Sequence, residues 1–249
     1  MSMDMADANR LMAELQETAA ELQRELRALS AASGELTAVT VEDEKKAVKL
    51  TLAKNGAVEA LVLDEDWRDT IGEESLGLVV TTCYRSALEQ RIGQWMKSYT
   101  ENAEETAANA DVTVPKPAPV QLGDPSADWA VEGREQLRAM YDAADAEQQD
   151  FLAHRAQRAR QTRDGVNAAK TVTVTREGDT LTAVTLDERW VRNTNDGVIE
   201  REIVKAMNGV MAMAAREREN KYEGFPAIEQ LAKIAHNPRE LMRRMGAIR

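Results

Sequence analysis

The chain has 249 residues, 32 basic against 43 acidic, and its net charge of −11 excludes tight, indiscriminate coating of nucleic acid, which draws on a surplus of Lys and Arg. With 43% hydrophobic residues but only ten aromatics, it suits two modest cores built from Leu, Val, Ala and Met. A single cysteine leaves no intramolecular disulfide, no stretch approaches the ~20 apolar residues of a membrane span, and Met1 to Asn9 lack a basic-then-apolar leader, so a cytoplasmic protein is expected.

In chain order, Leu11, Leu15, Ala19, Leu22, Leu26 and Leu29 share one face of a predicted leading helix that Gly34 stops. Leu36 to Val41 is extended in character. Val48, Leu50 and Leu52 alternate with polar residues up to the turn pair Asn55-Gly56, and Val58, Leu61 and Leu63 carry the returning strand. Beyond Trp67 and a loop holding Gly72, apolar residues from Leu76 through Cys83 and Ala87 to Ile92, Trp95, Met96 and Tyr99 mark a long helix. Trp67 and its later counterpart Trp190, with Trp95 and Cys83, are expected in the core. From Glu101 to Gln121 the chain turns small, acidic and proline-rich, and Pro115-Lys116-Pro117-Ala118-Pro119 reads as a stiff connector.

The pattern then recurs. Leu137, Tyr141, Ala144, Phe151 and Leu152 mark a more polar helix running through Ala156 and Ala159 towards Arg163-Asp164-Gly165. Val172 and Val174 precede the turn Glu177-Gly178-Asp179; Leu181, Val184 and Leu186 return; Ile199, Ile203, Met207, Val210 and Ala214 line a closing helix. Leu63-Asp64-Glu65-Asp66-Trp67 comes back as Leu186-Asp187-Glu188-Arg189-Trp190, the mark of a tandem repeat. The predicted organisation is a first unit over 1–110, a Pro-rich linker over 111–130, a second unit over 131–222 and a helical tail over 223–249. Between Met1 and Ala110 there are 11 basic and 21 acidic residues, whereas Arg134 to Tyr222 carries fifteen of each, so the amino half holds nearly all the acidity.

The leading helix, Thr171-Val172-Thr173-Val174-Thr175, the glycine turn, Leu181-Thr182-Ala183-Val184-Thr185-Leu186-Asp187-Glu188 and the closing helix together resemble the YbaB/EbfC family of nucleoid-associated DNA-binding proteins. The match is clearest from Arg134 to Asn220 and recognisable from Asn9 to Thr100, about three quarters of the chain. The resemblance implies an α+β fold of helix-strand-strand(-strand)-helix units, which pair in that family as homodimers and here would form a pseudo-twofold intramolecular dimer with continuous or abutting sheets. It also implies non-catalytic binding of duplex DNA in the nucleoid. Duplication, an acidic amino half and the added tail depart from the family pattern. Similar copies also look like type VII secretion-associated proteins, which makes a protein-binding scaffold or chaperone the rival expectation, with partners met by the acidic first unit or the tail. Self-association through exchanged units is a third.

The strongest candidate for phosphate contact is the run from His154 to Arg163, where Arg155, Arg158 and Thr162 would share a helical face flanked by Arg160 and Arg163, with Lys170 just beyond. Arg239, Arg243 and Arg244 form a second basic group. Neither is interleaved with aromatics, so backbone contact with duplex is expected in place of base stacking on single strands. The alternative reading of each run is a solvated helix side. Asp64 and Asp187 are expected as turn or helix caps. Without paired Cys, clustered His, a nucleophile elbow or a Gly-rich phosphate loop, no metal, cofactor or catalytic residue is expected.

Overall fold

The computed structural model describes residue 21, residues 24–108 and residues 126–245. Leu11, Leu15, Ala19 and Leu22 of the predicted leading helix and the proline segment 115–119 lie outside the described residues. Helical residues 24–34 (α1) lead into β1 (Val39–Glu42), β2 (Val48–Leu52), β3 (Val58–Leu63), the short α2 (Trp67–Ile71), a 3-10 turn at Glu73–Ser75 and the long α3 (Leu76–Ala108). Then follow α4 (Asp128–Arg160), β4 (Thr162–Val166), β5 (Val172–Glu177), β6 (Thr180–Leu186), α5 (Glu188–Arg192), α6 (Asp196–Glu219), α7 (Pro226–Ala235) and α8 (Pro238–Arg244). The chain is α+β. Each half runs helix, three strands, short helix, long helix, with sheet orders β1-β2-β3 and β4-β5-β6.

Contacts divide the chain into two compact units, with cuts that fall inside β4, β5, β6 and α6. Unit 1 comprises Met1–Lys116, Val166–Val174 and Ala183–Asn208; unit 2 comprises Pro117–Gly165, Thr175–Thr182 and Gly209–Arg249.

Unit 1 is built on strand alternation. Val48, Leu50 and Leu52 of β2 point inward while Lys49 is exposed, and β2 pairs antiparallel with β1 (Val41 opposite Leu50) and β3 (Leu50 opposite Leu61). Helix α3 packs on β1 and β2 with Leu76, Val80, Cys83, Tyr84 and Ala87 buried, and Trp67 together with Val191, Ile199, Ile203 and Met207 of the later segment are buried in the same unit. Gly56, at φ 85, supplies the left-handed backbone that the β2–β3 turn needs, and Asn55 Oδ1 accepts from Ala57 N at 3.0 Å.

Helix side chains occupy the sheet edges in unit 1. Val58 N donates to Asn208 Oδ1 at 2.9 Å, Asn208 Nδ2 donates to Val58 O at 2.8 Å, and Leu63 N donates to Glu200 Oε1 at 2.8 Å, so α6 covers the edge of β3. Val184 N in turn donates to Thr81 Oγ1 at 3.0 Å, and Gly77 sits so close to the Val184 carbonyl that a Cβ there would collide with it; α3 covers the edge of β6. The expectation of sheets continuing into one another is therefore corrected. The edges meet helices of the opposite half, which satisfy backbone groups that a continuous sheet would otherwise pair.

In unit 2, α4 packs against α7 and α8. Glu147 of α4 accepts from the N–H groups of Ala227 and Ile228 at 3.1 and 3.2 Å, capping the start of α7 from another helix. Gly133 of α4 lies 2.5 Å, measured from an added Cβ, from the Arg244 carbonyl, which leaves no room for a side chain at that crossing.

Candidate nucleic-acid interface

The basic residues of unit 2 gather where the end of α4, the β5–β6 hairpin and the end of α6 come together. At the centre stands Glu217 of α6. Its Oε1 is 2.6 Å from Arg163 Nη1 and 2.6 Å from Arg176 Nη2, while Arg158 Nη2 lies 3.7 Å from Oε2 and donates to the Glu217 backbone carbonyl at 2.8 Å. Partial burial alone would raise the Glu217 carboxyl, but the hydrogen bond and charge of Arg176 and the charges of Arg163 and Arg158 outweigh it and hold the group below its ordinary value. Arg176 is the most enclosed member, its side chain 3% exposed, with Nε lacking a hydrogen-bond acceptor among the described residues.

Two grooves flank this network. One, of about 540 Å³, is lined by His154, Arg158, Gln161, Arg163, Arg216 and Asn220 among others; the second, of about 590 Å³, by Arg155, Arg158, Arg176, Arg218 and Lys221 among others. Their walls carry seven basic residues against the four carboxylates of Glu177, Asp179, Glu217 and Glu223. Asp179 pairs with Arg218 at 3.6 Å. Arg155 lies over the Phe151 ring at 5.8 Å and Lys221 over Tyr222 at 4.8 Å, while Arg160 and Arg216 are exposed with no ion partner among the described residues. An exposed cation beside an aromatic face keeps its charge available to a phosphate.

No family model, curated protein or solved structure matches the chain.

The sequence run breaks up in space. Helix α4 ends at Arg160, Gln161 is extended, and Thr162 and Arg163 belong to β4, so the expected helical face shared by Arg155, Arg158 and Thr162 is corrected. The cause is tertiary. Gly178, at φ 56, brings the hairpin turn against the end of α4, its N–H donates to Gln161 O at 3.2 Å, and Gly165 lets β4 lie directly on Val210. Arg158 and Arg163 are held by Glu217, and Arg155 and Arg160 stay exposed. Lys170 belongs to unit 1, where it forms the β4–β5 turn at φ 58.

Arg239, Arg243 and Arg244 lie on α8. Arg243 Nε and Arg244 Nε bind Glu240 at 3.0 and 2.9 Å, which leaves Arg239, exposed like Arg243, as the member of that group without an ion partner among the described residues. Arg176, Arg216, Arg218 and Lys221 were not anticipated. Arg176 follows Val172 and Val174 at two-residue spacing, so its inward direction was legible in the strand pattern, but its acidic partner was not.

Other residues stand as follows. Trp67 is fully buried, but Trp190 and Trp95 are corrected: both are half-buried, and Trp95 is stacked on Tyr99 at 5.5 Å, with Ile92 and Met96 exposed beside it. Asp187 caps α5, accepting from Trp190 N at 2.7 Å, and Asp64 accepts from Asp66 N at 3.1 Å in a turn. Among the described residues no His, Cys, Asp and Glu cluster is arranged to hold a metal ion, and no helix is long and apolar enough to cross a membrane.

Proposed function

We propose that this chain is a non-catalytic, nucleoid-associated DNA-binding protein of the YbaB/EbfC kind, a tandem copy of that family's unit, which holds duplex DNA through its phosphates. The observation that carries this reading is the basic patch of unit 2, where Arg155, Arg216 and Lys221 line the grooves and Arg160 stands exposed at the end of α4, beside a frame braced by Arg158, Arg163, Arg176 and Glu217. Three elements of different sequence neighbourhoods deliver cations to one region of a chain whose net charge is −11. Such contacts neutralise backbone charge and carry no base specificity.

The test is duplex binding across a salt series. About four phosphate contacts give a slope of log affinity against log salt near −3.6. The double reversal Arg155→Glu with Arg160→Glu, at exposed positions outside the Glu217 network, is expected to abolish binding and leave the thermal transition in place. A flat salt response, or binding that survives the reversal, overturns the reading.

A second reading, a scaffold for protein partners, is favoured by a different feature of unit 1. Among the described residues strand β1 pairs only with β2, and beside it lies a groove of about 430 Å³ with Val41, Ile71, Leu78 and Val79 on its walls and Glu42, Asp43 and Glu44 at its rim. An extended basic segment with one apolar anchor matches this chemistry, since an edge strand offers backbone hydrogen bonds and the rim offers charge. Loss of binding to a Lys-rich, Leu-centred peptide on Leu78→Glu substitution would support it.

A further inference from the structure

We propose that Glu217 is an internal stand-in for a phosphate: Arg158, Arg163 and Arg176 form an anion cradle that the protein fills with its own carboxylate, and phosphate oxygens take that place when the chain engages its ligand. This deepens the DNA-binding reading and rests on it for the identity of the polymer. Three guanidinium groups directed at one carboxylate exceed what a single negative charge neutralises. Arg176 brings a cation into an enclosed position, 3% exposed, with its Nε still lacking an acceptor among the described residues. Phosphate offers more acceptor oxygens than a carboxylate and suits the paired donors of arginine.

Access and spare donors complete the case. Arg163 is 45% exposed and opens onto the groove lined by His154 and Arg216, so a ligand approaching there meets the cradle without passing through the core. His154 Nδ1, on a residue lining that groove, is buried without a hydrogen-bond partner among the described residues, and Arg216 stands exposed at its rim. Glu217 itself is 26% exposed and sits near the end of α6, so its side chain has solvent to turn into once a stronger anion arrives.

The experiment compares the full chain with Glu217→Gln, which keeps an acceptor for the arginines and removes the competing charge. Duplex affinity at low salt is expected to rise roughly fivefold and the salt slope to steepen by about 1, one further phosphate contact. Adding Arg163→Ala to Glu217→Gln should return both values to the parent's. If Glu217→Gln fails to fold, Glu217→Asp, which shortens the arm but keeps the charge, should show a smaller rise in the same direction. Millimolar inorganic phosphate, followed as a shift of the thermal midpoint, separates the source. A shift larger in Glu217→Gln than in the parent, with no gain for duplex, assigns the cradle to free phosphate species; a gain for duplex alone assigns it to nucleic-acid backbone. Should neither protein bind duplex, the DNA reading fails while the phosphate shift still decides the cradle. Unchanged duplex affinity together with equal phosphate shifts in a folded variant overturns the proposal.

Discussion

Single side chains set the chemistry of this molecule through what surrounds them. Cys83 is 2% exposed with Sγ 3.9 Å from the Val48 carbonyl, and burial, aided by the charge of Asp43, pushes its thiol up to about 11. The thiolate needed for reaction is therefore scarce at neutral pH. A disulfide reagent at pH 8 is expected to leave the folded protein unlabelled and to label one thiol per chain in denaturant. Glu217 runs the other way. Its folded value lies below the ordinary 4.5, so the stability it contributes is fully present above that value and is lost as the pH falls through the lower folded one. Urea midpoints followed from pH 7 to pH 2.5 should fall further in the parent than in Glu217→Gln.

At the scale of elements, the fold relies on close approaches and on caps lent across space. Gly77 allows α3 to lie on the Val184 carbonyl, and Gly77→Ala is expected to destabilise by about 1–3 kcal/mol, read from chemical denaturation, because backbone must shift to admit the methyl. Glu147 caps α7 from α4, so Glu147→Ala should remove about 1 kcal/mol and show first as faster amide exchange at Ala227 and Ile228, with α4 little affected. Helix capping is ordinarily read from residues next to the helix. Here the residue before α7 is Phe225, which offers no side-chain cap, so the sequence near residue 226 gave no hint of the partner eighty residues earlier.

For the molecule as a whole, unit 1 needs both halves of the chain. Its core joins Trp67, Leu76 and Val80 with Ile199, Ile203 and Met207, and the β3 edge is satisfied by Glu200 and Asn208. A fragment of residues 1–110 loses those partners and bares apolar surface beside an unpaired strand edge. It is expected to lack a cooperative thermal transition as a monomer or to self-associate, in circular dichroism and light scattering; a stable monomeric fragment with a sharp transition would show that the later segment only decorates the unit.

Strands β2, β3, β5 and β6 and their turns were legible from the sequence alone, because a period of two and the turn chemistry of Asn55-Gly56 and Gly178 are local properties: Val48, Leu50, Leu52, Val172 and Val174 lie inward as their spacing dictates, whereas β4 was not, because the helical pattern runs on towards Gly165. What only the tertiary structure decided is which charges remain available and which edges are covered. Arg158 and Arg163 read as a helical cation row until β4 begins at Thr162 and Glu217 arrives from 54 residues beyond Arg163. The covering of β3 by Asn208 spans 150 residues. Periodicity encodes the direction of a side chain within its own element; the partner it meets depends on how distant elements pack, and no local pattern carries that information.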